Sequence, residues 1–223
     1  QRIRIVADLV GYMFSWSFHL QTPQWNMIQL CCKMAAMTRR TVTIDGPTGI
    51  GKSTALSQFY KSNPNTYYVR LWRNMTDHDL LESICMEIGA DSKGGGNYRR
   101  IEAIANRLKE KGGLLILDEC ESLSVRIYRI IKDLCELLKD LAGLVVTGHE
   151  IWKEIEQRVA RRRKDMDQVK RRLEPRLHKI PAYDDRITKY ACKQLGIKDT
   201  QVINYLCNNI SNMDKLNDAM TVI

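Results

Sequence analysis

Short apolar blocks along the chain alternate with longer stretches of helical spacing. Thr41-Val42-Thr43-Ile44-Asp45 has the two-residue period and β-branched content of a strand. Tyr67 to Trp72, after the Asn63-Pro64-Asn65 turn, is a second strand-like run. Leu114 to Asp118 and Gly143 to Gly148 are continuously apolar, the pattern of strands buried on both faces of a parallel sheet. Helices are predicted over 54–60, 77–90, 98–111 and 123–141, and Thr22-Pro23 marks a helix start before Gln24 to Ala36. Beyond Pro181 no strand pattern appears, and short helices are expected over 184–195, 199–208 and 212–222. Strands alternating with helices require an α/β fold, a parallel sheet flanked by helices on both faces, here followed by a small helical lid.

The first strand runs directly into Gly46-Pro47-Thr48-Gly49-Ile50-Gly51-Lys52-Ser53, which meets every fixed position of the G-x-x-x-x-G-K-[ST] phosphate loop. Glycines there let backbone N–H groups converge on phosphate oxygens, and the following helix points its positive dipole end at the same place. A nucleoside triphosphate is the expected ligand. Lys52 would reach the β- and γ-phosphates, Ser53 would complete the Mg²⁺ shell, and Thr54 would lie near the α-phosphate. Leu114-Leu115-Ile116-Leu117-Asp118-Glu119 then delivers two acids to the carboxyl end of a buried strand. Asp118 would hold Mg²⁺ and Glu119 would act as general base on the attacking water.

A chain of 223 residues that is 44% hydrophobic and 27% charged can bury a core plus a small appended unit, which disfavours disorder and membrane residence. The apolar stretch from Ile5 to Leu20 is broken by Asp8, Ser15, Ser17 and His19, so neither a membrane span nor a secretion signal is expected. The seven cysteines have no C-x-x-C spacing and no paired histidines, which argues against a disulfide framework or a zinc site and fits a reducing cytoplasm. Charge is uneven: residues 151–181 hold eleven Lys/Arg against five Asp/Glu, in a chain of net charge +9. Arg161 to Lys164 and Lys170 to Arg172 form two basic clusters, suited to solvated helix faces, polyanion contact or trans-acting arginines.

With GPTGIGKST at 46–54, LLILDE at 114–119, VVTGHE at 145–150 and a lid ending in SNMDKLNDAM at 211–220, the chain resembles AAA+ ATPases. Among them it looks like the DNA transposition regulators of the phage Mu B and TnsC type. The resemblance implies an N-terminal helical segment over 1–40, a nucleotide-binding core with a five-stranded parallel sheet over 41–181, and a helical lid over 182–223. It also implies a polar sensor at Thr147, with His149 as alternate, and an arginine finger for the neighbouring subunit at Arg171 or Arg172, with Arg176 as alternate. Lys215 stands at the sensor-two position, where arginine is commoner; lysine keeps the charge and loses the planar fork. ATP is implied as the nucleotide, since no guanine-specificity motif is present.

Further implications of the likeness are a homo-oligomer stacked as a helical filament on double-stranded DNA, a transposase as partner, and slow hydrolysis that releases the assembly. DNA contacts are expected from Arg73 and Asn74 after the second strand and from Lys93, Arg99 and Arg100 around the triglycine loop. Trp72 could stack on a base, although a tryptophan at a strand end is expected in the core. Two other readings share the same motifs: a helicase loader resembling IstB or DnaC that prefers single strands, and a nucleotide-controlled signalling scaffold without nucleic acid.

Overall fold

The computed structural model describes residues 21–91, 96–161 and 164–216. Strands β1 (Thr41–Asp45), β2 (Thr66–Arg70), β3 (Leu114–Asp118), β4 (Gly143–Gly148) and β5 (Leu177–Lys179) pair in parallel in the order β2-β3-β4-β1-β5. Because β4 separates β1 from β3, the strand carrying Asp118 is not the immediate neighbour of the one that enters the phosphate loop. Register aligns Asp45 with Gly148 and Arg70 with Asp118, so four strands end at nearly one level.

Helices cover both faces. The two-residue period of the strands sends Leu115, Leu117, Leu144 and Val146 into one core with α3 (Asp77–Ile88), α4 (Asn97–Lys111), α5 (Val125–Leu137), α6 (Ile151–Ala160) and α7 (Lys164–Leu173). Val42, Ile44, Leu114, Ile116 and Val145 face the other way, onto α1 (Pro23–Thr38) and α2 (Lys52–Ser62). A third cluster, from Ile187 to Leu216, is built on α8 (Asp185–Gln194) and α9 (Thr200–Asn209).

The helix starts are set by side-chain caps. Thr22 accepts from the Trp25 N–H ahead of α1, Thr76 and Asp79 form a reciprocal capping box at α3, and Ser124 accepts from the Ile127 N–H at α5. Asp184 and Asp199 cap α8 and α9 in the same way. β5, α6 and α7 are elements that periodicity did not single out. α7 buries only Met166, Val169 and Leu173 along an otherwise charged helix, and β5 is a three-residue edge strand with no alternation to detect. Among the described residues no helix is long and apolar enough to cross a membrane. All seven cysteines are unpaired, and burial pushes Cys31 up to about 11 and Cys135 up to about 12, which keeps these two protonated at neutral pH.

Gly113, which feeds β3, has φ +108°, and a Cβ added there would lie 2.1 Å from the Asn65 carbonyl oxygen. That oxygen accepts the Leu114 N–H at 2.9 Å, so it cannot withdraw without breaking the entry to β3. Gly113→Ala is therefore expected to lower unfolding free energy by about 2 kcal/mol or more, read as a drop in the urea midpoint at unchanged m-value.

Candidate functional site

The loop from Gly46 to Gly51 leaves β1 and turns back into α2. Its start is tied to β4 by the Gly46 N–H bond to the Gly148 carbonyl at 3.4 Å. Gly49 and Gly51 adopt φ values of +70° and +84°, in the left-handed region where a Cβ is penalised. Gly51 occupies the N-cap of α2 without any side-chain cap, so the first-turn N–H groups face outward as an anion site. Lys52 opens that helix, and its ammonium donates to the Gly46 and Pro47 carbonyls, both at 2.7 Å. Burial pulls its pKa down, opposed by Glu121, Asp118, Asp45 and Glu119.

Facing the loop, β3 brings Asp118 to the sheet end with 1% exposure. One carboxylate oxygen accepts the Glu119 N–H at 2.9 Å and the other accepts the Tyr68 hydroxyl at 2.6 Å. Burial first, then Asp118, drives the Tyr68 pKa upward, so Tyr68 remains a donor. Glu119 has φ +60°, unusual for a residue with a side chain, and its carboxylate is paired with the Arg70 guanidinium at the end of β2. Both partners are well exposed, so the pair adds little to stability. It does fix where the Glu119 carboxylate points.

Thr48, Lys52, Ser53, Thr54, Asp118 and Glu119 line one cleft of about 340 Å³ together with Gly49 and Gly51. Arg70, Glu121, Gly148, His149 and Asp214 complete its wall, and of these the sequence motifs point only to His149, as the alternate sensor. Glu121 accepts the His149 N–H at 3.1 Å, which holds the turn after β4 in place. Thr147 is wholly buried on the β4 face shared with Val145, and its hydroxyl has no partner among the described residues. At the lid, the Met213 N–H donates to the Gly49 carbonyl at 2.7 Å, and Asn212 and Asp214 pack on Gly49. Lys215 turns instead to the Ser211 hydroxyl at 3.2 Å and does not line the cleft.

The remaining assigned residues lie elsewhere. Arg171, Arg172 and Arg176 line a second, larger cleft of about 590 Å³ with Arg40 and Lys139, at the opposite end of the sheet. Arg172 is held there by Glu136 at 2.9 Å. Arg73 and Asn74 are exposed in the turn after β2, and Arg99 and Arg100 occupy the first turn of α4, with Arg100 3.0 Å from the His78 ring. Lys93 lies outside the described residues, as do 1–20 and 217–223. Trp72 is not a core residue: β2 ends at Arg70, and the indole is 51% exposed.

The donor set fits a triphosphate with Mg²⁺. Uncapped helical N–H groups and a lysine face a hydroxyl and a buried carboxylate, and Mg²⁺ characteristically takes only one or two protein oxygens beside phosphate and water. Among the described residues no group of three or more His, Cys, Asp or Glu offers an all-protein metal cage.

A family model described as AAA domain matches residues 35–155, more than half of the chain. The chain belongs to the AAA domain family. It is 26% identical over 133 residues to the Mu-like prophage FluMu DNA transposition protein B of Haemophilus influenzae, covering 59% of this chain and 45% of that protein. It is 22% identical over 135 residues to the ATP-dependent target DNA activator B of Escherichia phage Mu, covering 60% of this chain and 43% of that one. The chain therefore spans less than half the length of these relatives. The Aeropyrum pernix Orc1 protein, solved in complex with DNA, matches with TM-score 0.61 at 15% identity over 89% of this chain and 58% of that one, a likeness of fold.

Asp45, under the loop, gives the site a measurable pH signature. Burial raises its pKa above the ordinary carboxylate value, against the Ile151 N–H it accepts at 3.1 Å and the nearby Lys179, Lys52 and His149. A raised folded pKa means the native state binds the proton more tightly, so this contribution is full below about pH 4 and is lost as pH rises through the folded value. Asp45→Asn keeps an acceptor for Ile151 and removes the half-buried charge. At pH 7 it should be as stable as the parent or more so, while Asp45→Ala should be less stable; thermal melts at pH 4 and 7 check both.

Proposed function

We propose that the chain is a Mg²⁺-dependent ATPase that assembles on double-stranded DNA in its ATP-bound state, presents target DNA to a transposase, and disassembles on hydrolysis. The observation that carries this reading is the convergence of the phosphate loop, Asp118 and Glu119 on one cleft. The printed names of the relatives, a DNA transposition protein and an ATP-dependent target DNA activator, supply the direction.

ATP with Mg²⁺ would bring the phosphoryl group and its charge neutralisation. Lys52 exchanges its carbonyl partners for phosphate oxygens, and the α2 N–H groups with Thr48 and Thr54 hold the chain of phosphates in line. Ser53 and Asp118 would hold the metal, Glu119 would take the proton from the attacking water, and the unpartnered Thr147 hydroxyl would help to orient that water. Arg171 or Arg172, which lie away from their own cleft, would serve the neighbouring subunit. Subunits stacked this way form a homo-oligomeric helical filament, with Arg73, Asn74, Lys93, Arg99 and Arg100 tracking the DNA backbone. Lys215 can join the phosphates only by leaving Ser211.

Gel shifts on duplex DNA with ATP, with a non-hydrolysable analogue and without nucleotide provide the test. Binding should require nucleotide and persist with the analogue; Glu119→Gln should trap the DNA-bound form, and Lys52→Ala should abolish it. Nucleotide-independent binding, or none, would sink the reading. Hydrolysis should also respond to the Arg70 pair: because the guanidinium holds Glu119 Oε1 and so sets where the carboxylate points, Arg70→Ala is expected to raise basal turnover severalfold in a phosphate-release assay.

A further inference from the structure

The hydroxyl of Tyr68 does more than its place in the packing requires. Tyr68 lies on β2, the edge strand of the sheet, on the face that packs with Ile116 towards α1 and α2. Phenylalanine would fill the same space. What tyrosine adds is an O–H, and that O–H donates to Asp118 Oδ2 at 2.6 Å. Register explains the reach: Tyr68 is level with Ile116 and Arg70 with Asp118, so the phenol crosses diagonally to a residue two positions further along β3, a span that a long aromatic side chain covers.

Neighbouring elements hold the phenol in this pose. The Tyr68 N–H donates to Glu87 of α3 at 3.2 Å, and the Tyr60 hydroxyl turns to the same carboxylate. Tyr60 stands on α2, the helix that Lys52 opens, and its ring centroid is 6.0 Å from that of Tyr68 at a tilt of 38°. On the far side of Asp118, the Glu119 N–H holds Oδ1 at 2.9 Å. A donor on each oxygen fixes the plane of the carboxylate, whereas one donor alone would leave it free to turn about its Cβ–Cγ bond. Two of its lone-pair directions are then used within the protein, and the others stay open to a ligand.

Resting on the reading of the cleft as a site for Mg²⁺ and a triphosphate, we propose that Tyr68 is a positioning residue for the metal: its hydroxyl sets the orientation in which Asp118 offers its remaining lone pairs to Mg²⁺ or to the waters around it. A small cation that demands near-octahedral geometry is sensitive to that orientation, and hydrogen bonds behind a metal-binding side chain are characteristically worth about 10- to 100-fold in metal affinity. Tyr68 itself does not line the cleft, so its loss should show in the metal dependence and not in contacts with the phosphates.

The test is fluorescence anisotropy of a labelled, non-hydrolysable ATP analogue on the full chain, first in EDTA and then across a Mg²⁺ titration. Tyr68→Phe should bind the analogue in EDTA within about twofold of the parent, while the Mg²⁺ concentration at the midpoint of the metal-dependent gain should rise about tenfold or more. Tyr60→Phe keeps the ring against Tyr68 and loses only the hydroxyl that turns to Glu87, so its midpoint should stay within about twofold of the parent. Thermal melts matching the parent establish that both variants fold. A Tyr68→Phe midpoint within about twofold of the parent overturns the proposal, and so does an equal loss of affinity in EDTA and in Mg²⁺, the mark of a merely structural role. A parent that does not bind the analogue, or binds it without regard to Mg²⁺, overturns the metal and nucleotide reading itself, and the proposal with it.

Discussion

Parallel pairing at one register holds the cleft together. Asp45 lies level with Gly148 and Arg70 level with Asp118, so the chain leaves four strands side by side and every exit is a loop or helix start facing the same space. Had any strand run the other way, its carboxyl end would lie at the far edge, where Arg171 and Arg172 are. The wholly buried β3 and β4 make this arrangement stiff, since a one-residue slip would exchange the two sets of side chains between the two cores.

Electrostatics then decides what the aligned ends can do. The ammonium of Lys52 and the carboxylates of Asp118 and Glu119 occupy one cleft, yet in this structure none spends its charge on another of the three. Lys52 turns to carbonyl oxygens, Asp118 to a hydroxyl and an N–H, and Glu119 to Arg70 across the β2 to β3 step. Each partner is a neutral dipole or an exposed cation, bonds that exchange at modest cost. A direct, buried Lys52 to Asp118 pair would be far harder to open for an incoming phosphate.

Residues 46–54 and 118–119 were legible in the sequence because their chemistry is carried by consecutive positions. So was the alternation of strands and helices, since β1 alternates, β3 and β4 are continuous apolar runs, and the helices begin at Thr76, Ser124, Asp184 and Asp199, side chains that cap. Tyr68 and Arg70 were not, because their relation to Asp118 and Glu119 exists only across strands. Glu121 and Asp214 enter through turn and lid geometry that no local motif encodes. α7 was hidden by its composition: three apolar residues suffice to dock a helix whose other faces are charged. Trp72 was misassigned because the strand was extended past Arg70, where the ladder stops.

Glycine at 49 is not demanded by the phosphate-loop pattern, whose fixed glycines here are 46 and 51. Its carbonyl receives Met213, and a Cβ there would meet Asn212 at 3.0 Å. The bare backbone at this position is thus the seat of the last helical unit, so a residue that looks like an ordinary spacer governs how closely two separately packed parts of the molecule can approach. A methyl group at this spot would act as a shim, wedging the roof away from the floor while leaving every phosphate-facing side chain unaltered.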